Sequence, residues 1–409
     1  MKITSDFAPP LSTIAPFFLI GAVFYVFACT ALFGIDIKAS YADFAVVGWV
    51  HLFLVGFVMT TILGAMGQLI PVVLEKGHSF VQFFTIIPYL LLLGIFLLIS
   101  GFWLNPAFLP YGGLIVMTAI AIYLTDAFAT LLKAERSSLS VRIMGVSHLF
   151  LIAALIVGFL MTLFFSYGIH INIKAALLTH IAFSVGGYVF LVIVGVAVIL
   201  LPMFGLAHGF DQKAAWRSFW SLVVGILLIC IFSFFDFYFG VTIGFLLVLA
   251  SMSFFGYQVA LMHSKRVRKE KDIWYRSLMV SFGSLALSLV LMVLSAVSED
   301  EKLIKLSGFI FGLGFLSFLI SGHFYKIIPF LVWFERFSPL VGKQKIPMLH
   351  QMVPKKAAEY QLWFGLFGLI LCSLGLWFEN QTIWFSGASF LCVGSLFLLG
   401  GTFWMIRFR

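Results

Sequence analysis

The sequence predicts an all-α integral membrane protein of about twelve transmembrane helices, arranged as three four-helix pseudo-repeats. Three observations support this fold class: the composition, the apolar runs and a recurring glycine–proline pattern. Of the 409 residues, 62% are hydrophobic and only 10% are charged, whereas soluble domains are about half apolar and about a quarter charged. Because a soluble fold cannot bury this much apolar surface, we expect the lipid bilayer to be the protein's first partner.

Twelve apolar runs follow one another along the chain. Most are as long as the roughly 20 residues that a helix needs to cross the hydrocarbon core of a bilayer. Together with short polar loops they account for the whole length, so we expect a single polytopic domain over residues 1–409. The runs cover residues 14–35, 43–73, 80–101, 107–132, 142–167, 174–205, 215–235, 237–263, 275–297, 304–334, 359–378 and 381–406.

The net charge of +9 reflects membrane topology. Of the 25 Lys and Arg residues, 21 fall in the termini and in the alternate loops that we assign to the inside. Since basic residues are retained on the cytoplasmic side, this asymmetry predicts cytoplasmic N and C termini in the inner membrane of the cell. It gives no support to nucleic-acid binding. The four basic residues assigned to the outside are Lys38, Lys174, Lys302 and Lys305.

A Gly-x7-Gly-x6-Pro pattern occurs in the second, sixth and tenth apolar runs. Its prolines lie 131 and 127 residues apart, which is one four-helix unit each time. Small residues are common in membrane helices because they let helices pack closely, but the regular period favours pseudo-repeats over about 14–134, 142–263 and 275–406. The pattern consists of Gly56, Gly64 and Pro71, then Gly187, Gly195 and Pro202, then Gly314, Gly322 and Pro329.

Two intramembrane histidines are candidate ligands for a cofactor. His51 lies roughly 12 Å, and His180 roughly 9 Å, from the outer end of its helix. Neutral imidazole binds haem iron and copper; the alternative is a hydrogen bond to a neighbouring helix. His51 stands 20 residues before its repeat proline and His180 stands 22 before. The difference of two residues corresponds to about 200° around a helix, so the two imidazoles need not face the same site.

Further candidates lie in the inner half of the membrane. His148 is either a ligand, with or without His323, or a core histidine. Asp126, with Tyr123 one turn before it, is either part of a proton path or a carboxylate bonded to a neighbouring helix. The remaining histidines, which we expect to be solvated, are His78, His170, His208, His263 and His350.

These features resemble subunit I of the haem-copper oxidases. The run from His51 to Pro71, with Gly56 between them, is also similar to NnrS-type haem and copper membrane proteins. The resemblance in topology covers the whole chain, whereas the resemblance in sequence motif is found mainly in the second predicted helix. It implies a protein that binds haem, and secondarily copper, and that serves respiratory or nitric-oxide metabolism with an electron-donor protein or an oligomer partner. On this pattern His51 is an axial iron ligand, and His180 or His148 is a second metal ligand.

The chain departs from the oxidases where their copper centre should be. No histidine occurs in 215–235, and Ser184 replaces the redox-active tyrosine. Phe309 and Ser307 occupy the helix 10 positions that match His51 and His180. We therefore expect no complete oxygen-reducing centre, and whether the protein is an enzyme stays open. The alternative functions are a small-solute or metal transporter, although such folds usually have two six-helix halves, and a non-catalytic assembly subunit.

Overall fold

The computed structural model of the protein describes residues 7–135 and 138–409. Lys2 and Arg136, two basic residues that the sequence assigns to the inside, lie outside these ranges. Within the ranges, the chain forms helices joined by turns, with one isolated bridge between Ala207 and Arg266. The predicted all-α fold class is therefore confirmed.

Twelve long helices follow the twelve apolar runs. Among the described residues, eleven helices are long and apolar enough to cross a membrane, and α3 is a shorter apolar helix of 17 residues. The chain is therefore a multi-pass membrane protein. The helices are α1 Leu11–Ala31, α2 Phe44–Leu74, α3 Ile87–Trp103, α4 Leu109–Leu131, α5 Leu139–Tyr167, α6 Ile173–Gly205, α7 Lys213–Phe234, α8 Tyr238–Ser264, α9 Ile273–Ser298, α10 Glu301–Arg336, α11 Lys355–Trp377 and α12 Gln381–Arg407.

Polar residues between the apolar runs begin many of these helices. The Asp43 carboxylate accepts a hydrogen bond of 2.7 Å from the backbone N–H of Ala45 at the start of α2. Such caps satisfy N–H groups that the first turn of a helix leaves unpaired. α3 begins later than its apolar run because Val81–Thr85 forms a 3-10 turn. The other caps of this kind are Ser138, Asn172, Asp272, Asp300 and Asn380.

The helices group into two compact units. Unit 1 consists of Met1–Leu69, Phe80–Leu104 and Lys271–Arg409, and unit 2 consists of Ile70–Ser79 and Asn105–Glu270. Unit 1 therefore contains α1, α3, α9 to α12 and most of α2. Unit 2 contains α4 to α8 and the last residues of α2.

Aromatic rings fill the core of unit 1. Tyr25 of α1 stacks on Phe57 of α2, with ring centroids 4.5 Å apart. Phe324 of α10 lies 6.3 Å from Phe57 and packs edge-on against Phe18 of α1 at 5.2 Å. Because lipid is as apolar as these rings, close packing rather than burial from water holds such helices together.

The end of α10 binds both the first and the last helix of unit 1. The Glu335 carboxylate accepts a hydrogen bond of 2.5 Å from the backbone N–H of Leu11, the first residue of α1. The neighbouring Arg336 guanidinium donates a hydrogen bond of 2.6 Å to the carbonyl of Phe408, just after α12. The first and third predicted pseudo-repeats are thus joined within unit 1.

The second helix of each predicted pseudo-repeat contains a π-helical segment. Each segment ends 12 or 13 residues before the repeat proline. Side-chain hydroxyls bond carbonyls of these segments: Thr60 donates to Val55 at 3.1 Å and Ser317 to Leu313 at 2.7 Å. π-Helical turns are rare and frequently occur at functional sites. The segments are Leu52–Met59, Ala182–Phe190 and Ile310–Leu316.

The repeat glycines make corresponding contacts in all three helices. Each first glycine faces one side chain of the first helix of its repeat, and each second glycine faces the side chain seven residues earlier in that helix. A Cβ at any of the six would lie within 2.8 Å of the facing side chain, so glycine is what permits this approach. The pairs are Gly56–Phe24, Gly64–Phe17, Gly187–Phe150, Gly195–Ile143, Gly314–Ser284 and Gly322–Ser277.

This recurrence of local packing supports the three pseudo-repeats, while the superposition of the complete segments stays a prediction. The same three helices are also the most enclosed. Between 61% and 78% of the apolar window of α2, α6 and α10 is buried, against at most 50% in the other spans. The repeated pattern therefore marks the helices that form the interior.

Candidate functional site

His51 lies in the second turn of α2, directly before its π-helical segment. Its Nδ1–H donates a hydrogen bond of 2.8 Å to the carbonyl of Val47, and its ring packs 4.9 Å from that of Phe102 in α3. Donation from Nδ1 fixes the tautomer whose lone pair lies on Nε2, as in many metal-binding histidines.

His180 occupies a similar position in α6, two residues before its π-helical segment. Its Nδ1–H donates a hydrogen bond of 3.0 Å to the carbonyl of Ala154 in α5. The imidazole fits against Gly158, where a Cβ would lie 2.7 Å from its Cε1 atom. His180 therefore faces α5 within unit 2.

Aromatic rings fill the space between α2 and α10, which is where the resemblance to the oxidases would place a haem. Trp49 and Phe53 fill the α10-facing side of α2: their rings stack 6.0 Å apart, and Trp49 also stacks 6.3 Å from Phe309 of α10. Phe53 in turn reaches Gly312, where a Cβ would lie 3.3 Å from its ring. Among residues 7–135 and 138–409, no group of three or more His, Cys, Asp or Glu side chains is arranged to hold a metal ion.

His148 is bonded through both ring nitrogens in the core of unit 2. Its Nδ1–H donates to the carbonyl of Met144, so its Nε2 is an acceptor. The Tyr123 hydroxyl of α4 donates a hydrogen bond of 2.7 Å to this Nε2. Tyr188, from the π-helical segment of α6, packs edge-on against the His148 ring at 5.9 Å.

Asp126 binds a histidine that the sequence places in solvent. The Nδ1–H of His78 donates a hydrogen bond of 2.5 Å to the Asp126 carboxylate, and the two side chains are 3% and 1% exposed. The expectation that His78 is solvated is therefore wrong. Its loop follows α2 and folds over the end of α4, which removes the imidazole from water.

The end of α4 fixes this loop at three further points. The backbone N–H of Ser79 donates to the Thr130 hydroxyl at 3.2 Å, and the Lys133 ammonium donates to the carbonyl of Gly77 at 3.0 Å. Lys76 forms an exposed ion pair with Glu135 at 2.7 Å. The hydrogen bond and the charge of Lys76 hold the pKa of Glu135 below its usual value.

These contacts define a line of ionisable side chains in unit 2, here called the unit 2 relay. His78 contacts Asp126, and Tyr123 lies one turn away on the same face of α4, at a Cβ separation of about 5–6 Å. Tyr123 then contacts His148, which packs on Tyr188. All five residues belong to types that both take up and release protons. The relay consists of His78, Asp126, Tyr123, His148 and Tyr188.

The structure thus joins three sequence candidates, Asp126, Tyr123 and His148, in one cluster. Sequence reasoning missed His78 and Tyr188. The only sequence feature that indicates a role for Tyr188 is its position next to the repeat glycine Gly187. No sequence feature indicates that His78 is buried, because its neighbours in sequence are polar.

His323 belongs to unit 1, whereas the relay residues belong to unit 2. Both of its ring nitrogens are hydrogen-bonded inside unit 1. Its Nδ1–H donates to the carbonyl of Leu319 at 2.7 Å, and its Nε2 accepts the indole N–H of Trp274 at 3.4 Å. Of the remaining histidines, His263 is half-buried, whereas His170, His208 and His350 are exposed as expected.

The fold and the relay together define a multi-pass α-helical membrane protein with a buried line of ionisable side chains. Comparison with the models of known families finds no family that matches this chain. Comparison with curated proteins likewise finds no matching relative.

Proposed function

We propose that this protein moves protons into the membrane interior through the unit 2 relay, starting from the basic loops beside the end of α4. The observation that carries the proposal is the hydrogen bond of 2.7 Å from Tyr123 to His148, one helical turn from the buried His78–Asp126 pair. Buried ionisable groups in a membrane are costly. Chains of such groups that pair with one another are typical of proton relays.

The relay begins next to basic loops and stops inside the membrane. Lys76, Lys133 and Glu135 lie around its entrance at the end of α4. His148 lies nine residues after the start of α5, which is about 14 Å along the helix. The whole of α5 has 29 residues, or about 43 Å. Because the relay ends at this depth, it would deliver protons to the interior of the membrane and not across it.

A proton supply to the interior is compatible with redox chemistry there. The second candidate function is therefore haem or copper binding linked to respiratory or nitric-oxide metabolism, with an electron-donor protein as partner. Two shared features of His51 and His180 favour it: each stands next to a π-helical segment, and each donates from Nδ1 to a backbone carbonyl. In this proposal the two histidines are separate ligands, because the packing of Trp49 and Phe53 leaves no oxidase-type slot.

We further propose that the protein lies in the inner membrane of the cell with both termini in the cytoplasm. The 21-to-4 division of basic residues supports this orientation. The entrance of the unit 2 relay, beside Lys76 and Lys133, then opens to the cytoplasm.

Deuterium exchange tests the relay directly. The full chain in lipid bilayers is transferred to D2O buffer, and infrared spectra follow deuteration of the Tyr123 hydroxyl, assigned by its loss in Tyr123→Phe. We expect Asp126→Asn to slow this exchange by about 10²-fold, the usual contribution of a positioned proton-transfer group. The matched control is Asp211→Asn, an exposed carboxylate at the start of α7 in the same unit. Equal exchange in Asp126→Asn and wild type would contradict the proposal.

A further inference from the structure

Unit 1 contains a cluster of buried polar side chains that lie outside any site considered so far. Tyr325 of α10, Gln361 of α11 and Thr402 of α12 are 2%, 3% and 0% exposed. Ser321, one turn before Tyr325, is fully buried and accepts a hydrogen bond of 3.4 Å from the Gln361 amide N–H. We call these four residues the unit 1 polar cluster.

Three polar atoms of this cluster have no hydrogen-bond partner among the described residues: the Tyr325 hydroxyl, Gln361 Oε1 and Thr402 Oγ1. An unsatisfied buried donor or acceptor costs about 1–3 kcal/mol. Three such groups on facing helices of one unit would together cost several times that amount. Buried polar groups in native proteins are therefore almost always bonded, and ordered water is their usual partner where protein is absent.

A glycine leaves space beside the Tyr325 hydroxyl. A Cβ on Gly401, the neighbour of Thr402, would lie 3.9 Å from the Tyr325 hydroxyl oxygen and 3.4 Å from Pro354. At this place a methyl-sized volume beside a polar group is left by the absence of a side chain. A small polar ligand has room there, whereas a large one does not.

We propose that the unit 1 polar cluster binds water molecules at Tyr325, Gln361 and Thr402. Water matches the chemistry, because the cluster offers hydroxyl groups that both donate and accept and an amide oxygen that accepts. One water bonded to two or three of these groups is the usual arrangement of buried water. No charged side chain belongs to the cluster, which suits a neutral ligand such as water.

The cluster is within reach of the end of unit 1 at which α10 and α12 finish. Thr402 lies five residues before the end of α12, and Gln361 lies six residues after the start of α11. These positions are about 8–9 Å along their helices. Tyr325 is deeper, eleven residues before the end of α10, or about 16 Å. The bound water therefore hydrates the half of unit 1 in which α10 and α12 end.

Water-edited solid-state NMR tests the proposal on the full chain in lipid bilayers. Magnetisation is transferred from water protons to ring-labelled tyrosine, and the Tyr325 signal is assigned by its loss in Tyr325→Phe. We expect rapid transfer to Tyr325, comparable to that of exposed tyrosines. The matched control is Tyr25, which is equally buried in unit 1 but lies beside Ser317 and Cys29. Transfer to Tyr325 as slow as transfer to Tyr25 would overturn the proposal.

A pair of glycine variants locates the water. Gly401→Val fills the space beside the Tyr325 hydroxyl, whereas Gly400→Val adds the same side chain where nothing lies within 4 Å. We expect Gly401→Val to slow water transfer to Tyr325 severalfold and Gly400→Val to leave it unchanged. Equal transfer in the two variants would show that water does not occupy the space beside Gly401, and the proposed site would be wrong.

Discussion

The Nδ1–H of His78 donates a hydrogen bond of 2.5 Å to the Asp126 carboxylate, and both side chains are almost fully removed from solvent. The contact joins residues 48 positions apart and fixes the loop after α2 on the end of α4. Similar ties occur after α6, where Ala207 bridges Arg266, and after α10, where the ring of Phe337 packs 6.2 Å from that of Phe408. In each predicted pseudo-repeat, the loop after the second helix is therefore bound to the end of the fourth helix.

Removal of the Asp126 carboxylate should destabilise unit 2. Asp126→Leu leaves the buried His78 imidazole without its acceptor, which should cost about 1–3 kcal/mol. Asp126→Asn keeps an acceptor oxygen for the His78 N–H and should cost less. Thermal unfolding in detergent measures both losses. The exposed control Asp211→Asn should stay within about 0.5 kcal/mol of wild type. Equal stability of the Leu and Asn variants would show that the hydrogen bond does not stabilise the fold.

The contact between Gly187 and Phe150 provides a second test of stability. A Cβ at Gly187 would lie 2.6 Å from the Phe150 ring, so Gly187→Ala must displace the ring or separate α5 from α6. We expect a loss of about 1–3 kcal/mol, typical of overpacking. Gly145→Ala in α5 meets nothing within 4 Å and should gain about 0.5–1 kcal/mol from helix propensity. If both variants shifted the unfolding temperature in the same direction, the close approach at Gly187 would not limit stability.

The sequence predicts those features that depend on local composition. Except at the start of α3, the apolar runs predict the ends of the twelve helices within four residues, because a span of the bilayer requires a long and continuous apolar segment. The glycine–proline period likewise predicts the three most enclosed helices. Asp126 and Tyr123 were recognisable as a pair because an ionisable residue and a tyrosine one turn apart share a helix face.

Features that depend on contacts distant in sequence could not be predicted. His78 stands beside Lys76 and Ser79 in a polar loop, and only the end of α4 buries it. The offset of about 200° between His51 and His180 stays a prediction. The two imidazoles contact different helices of their predicted repeats, since His51 packs against Phe102 of α3 and His180 donates to the carbonyl of Ala154 in α5.

Absorption spectra test the haem proposal through the three intramembrane histidines. If His51 ligates iron, His51→Ala should lose or shift the Soret band of the purified protein, while the chain still inserts. His180→Ala should change the spectrum or the copper content more than the exposed control His350→Ala. His148→Ala should leave the spectrum unchanged, because Tyr123 already occupies Nε2 of His148. Wild-type haem and metal content in all three intramembrane variants would remove the support for a cofactor.

Reporter fusions test the orientation on which the entrance of the relay depends. The division of basic residues places the C terminus and the loop around Arg268 inside, and the loop around Asp300 outside. A reporter after Arg409 or near Arg268 should therefore be active only in the cytoplasm, and one near Asp300 only on the other side. α11 and α12 do not alter this assignment, because two helices return the chain to the side on which α10 ends. If the reporters after Arg409 and near Asp300 were active on the same side, the number of membrane crossings between them would be even rather than odd. The 17-residue helix α3 lies before both positions, so that result would require one of α10, α11 or α12 not to cross.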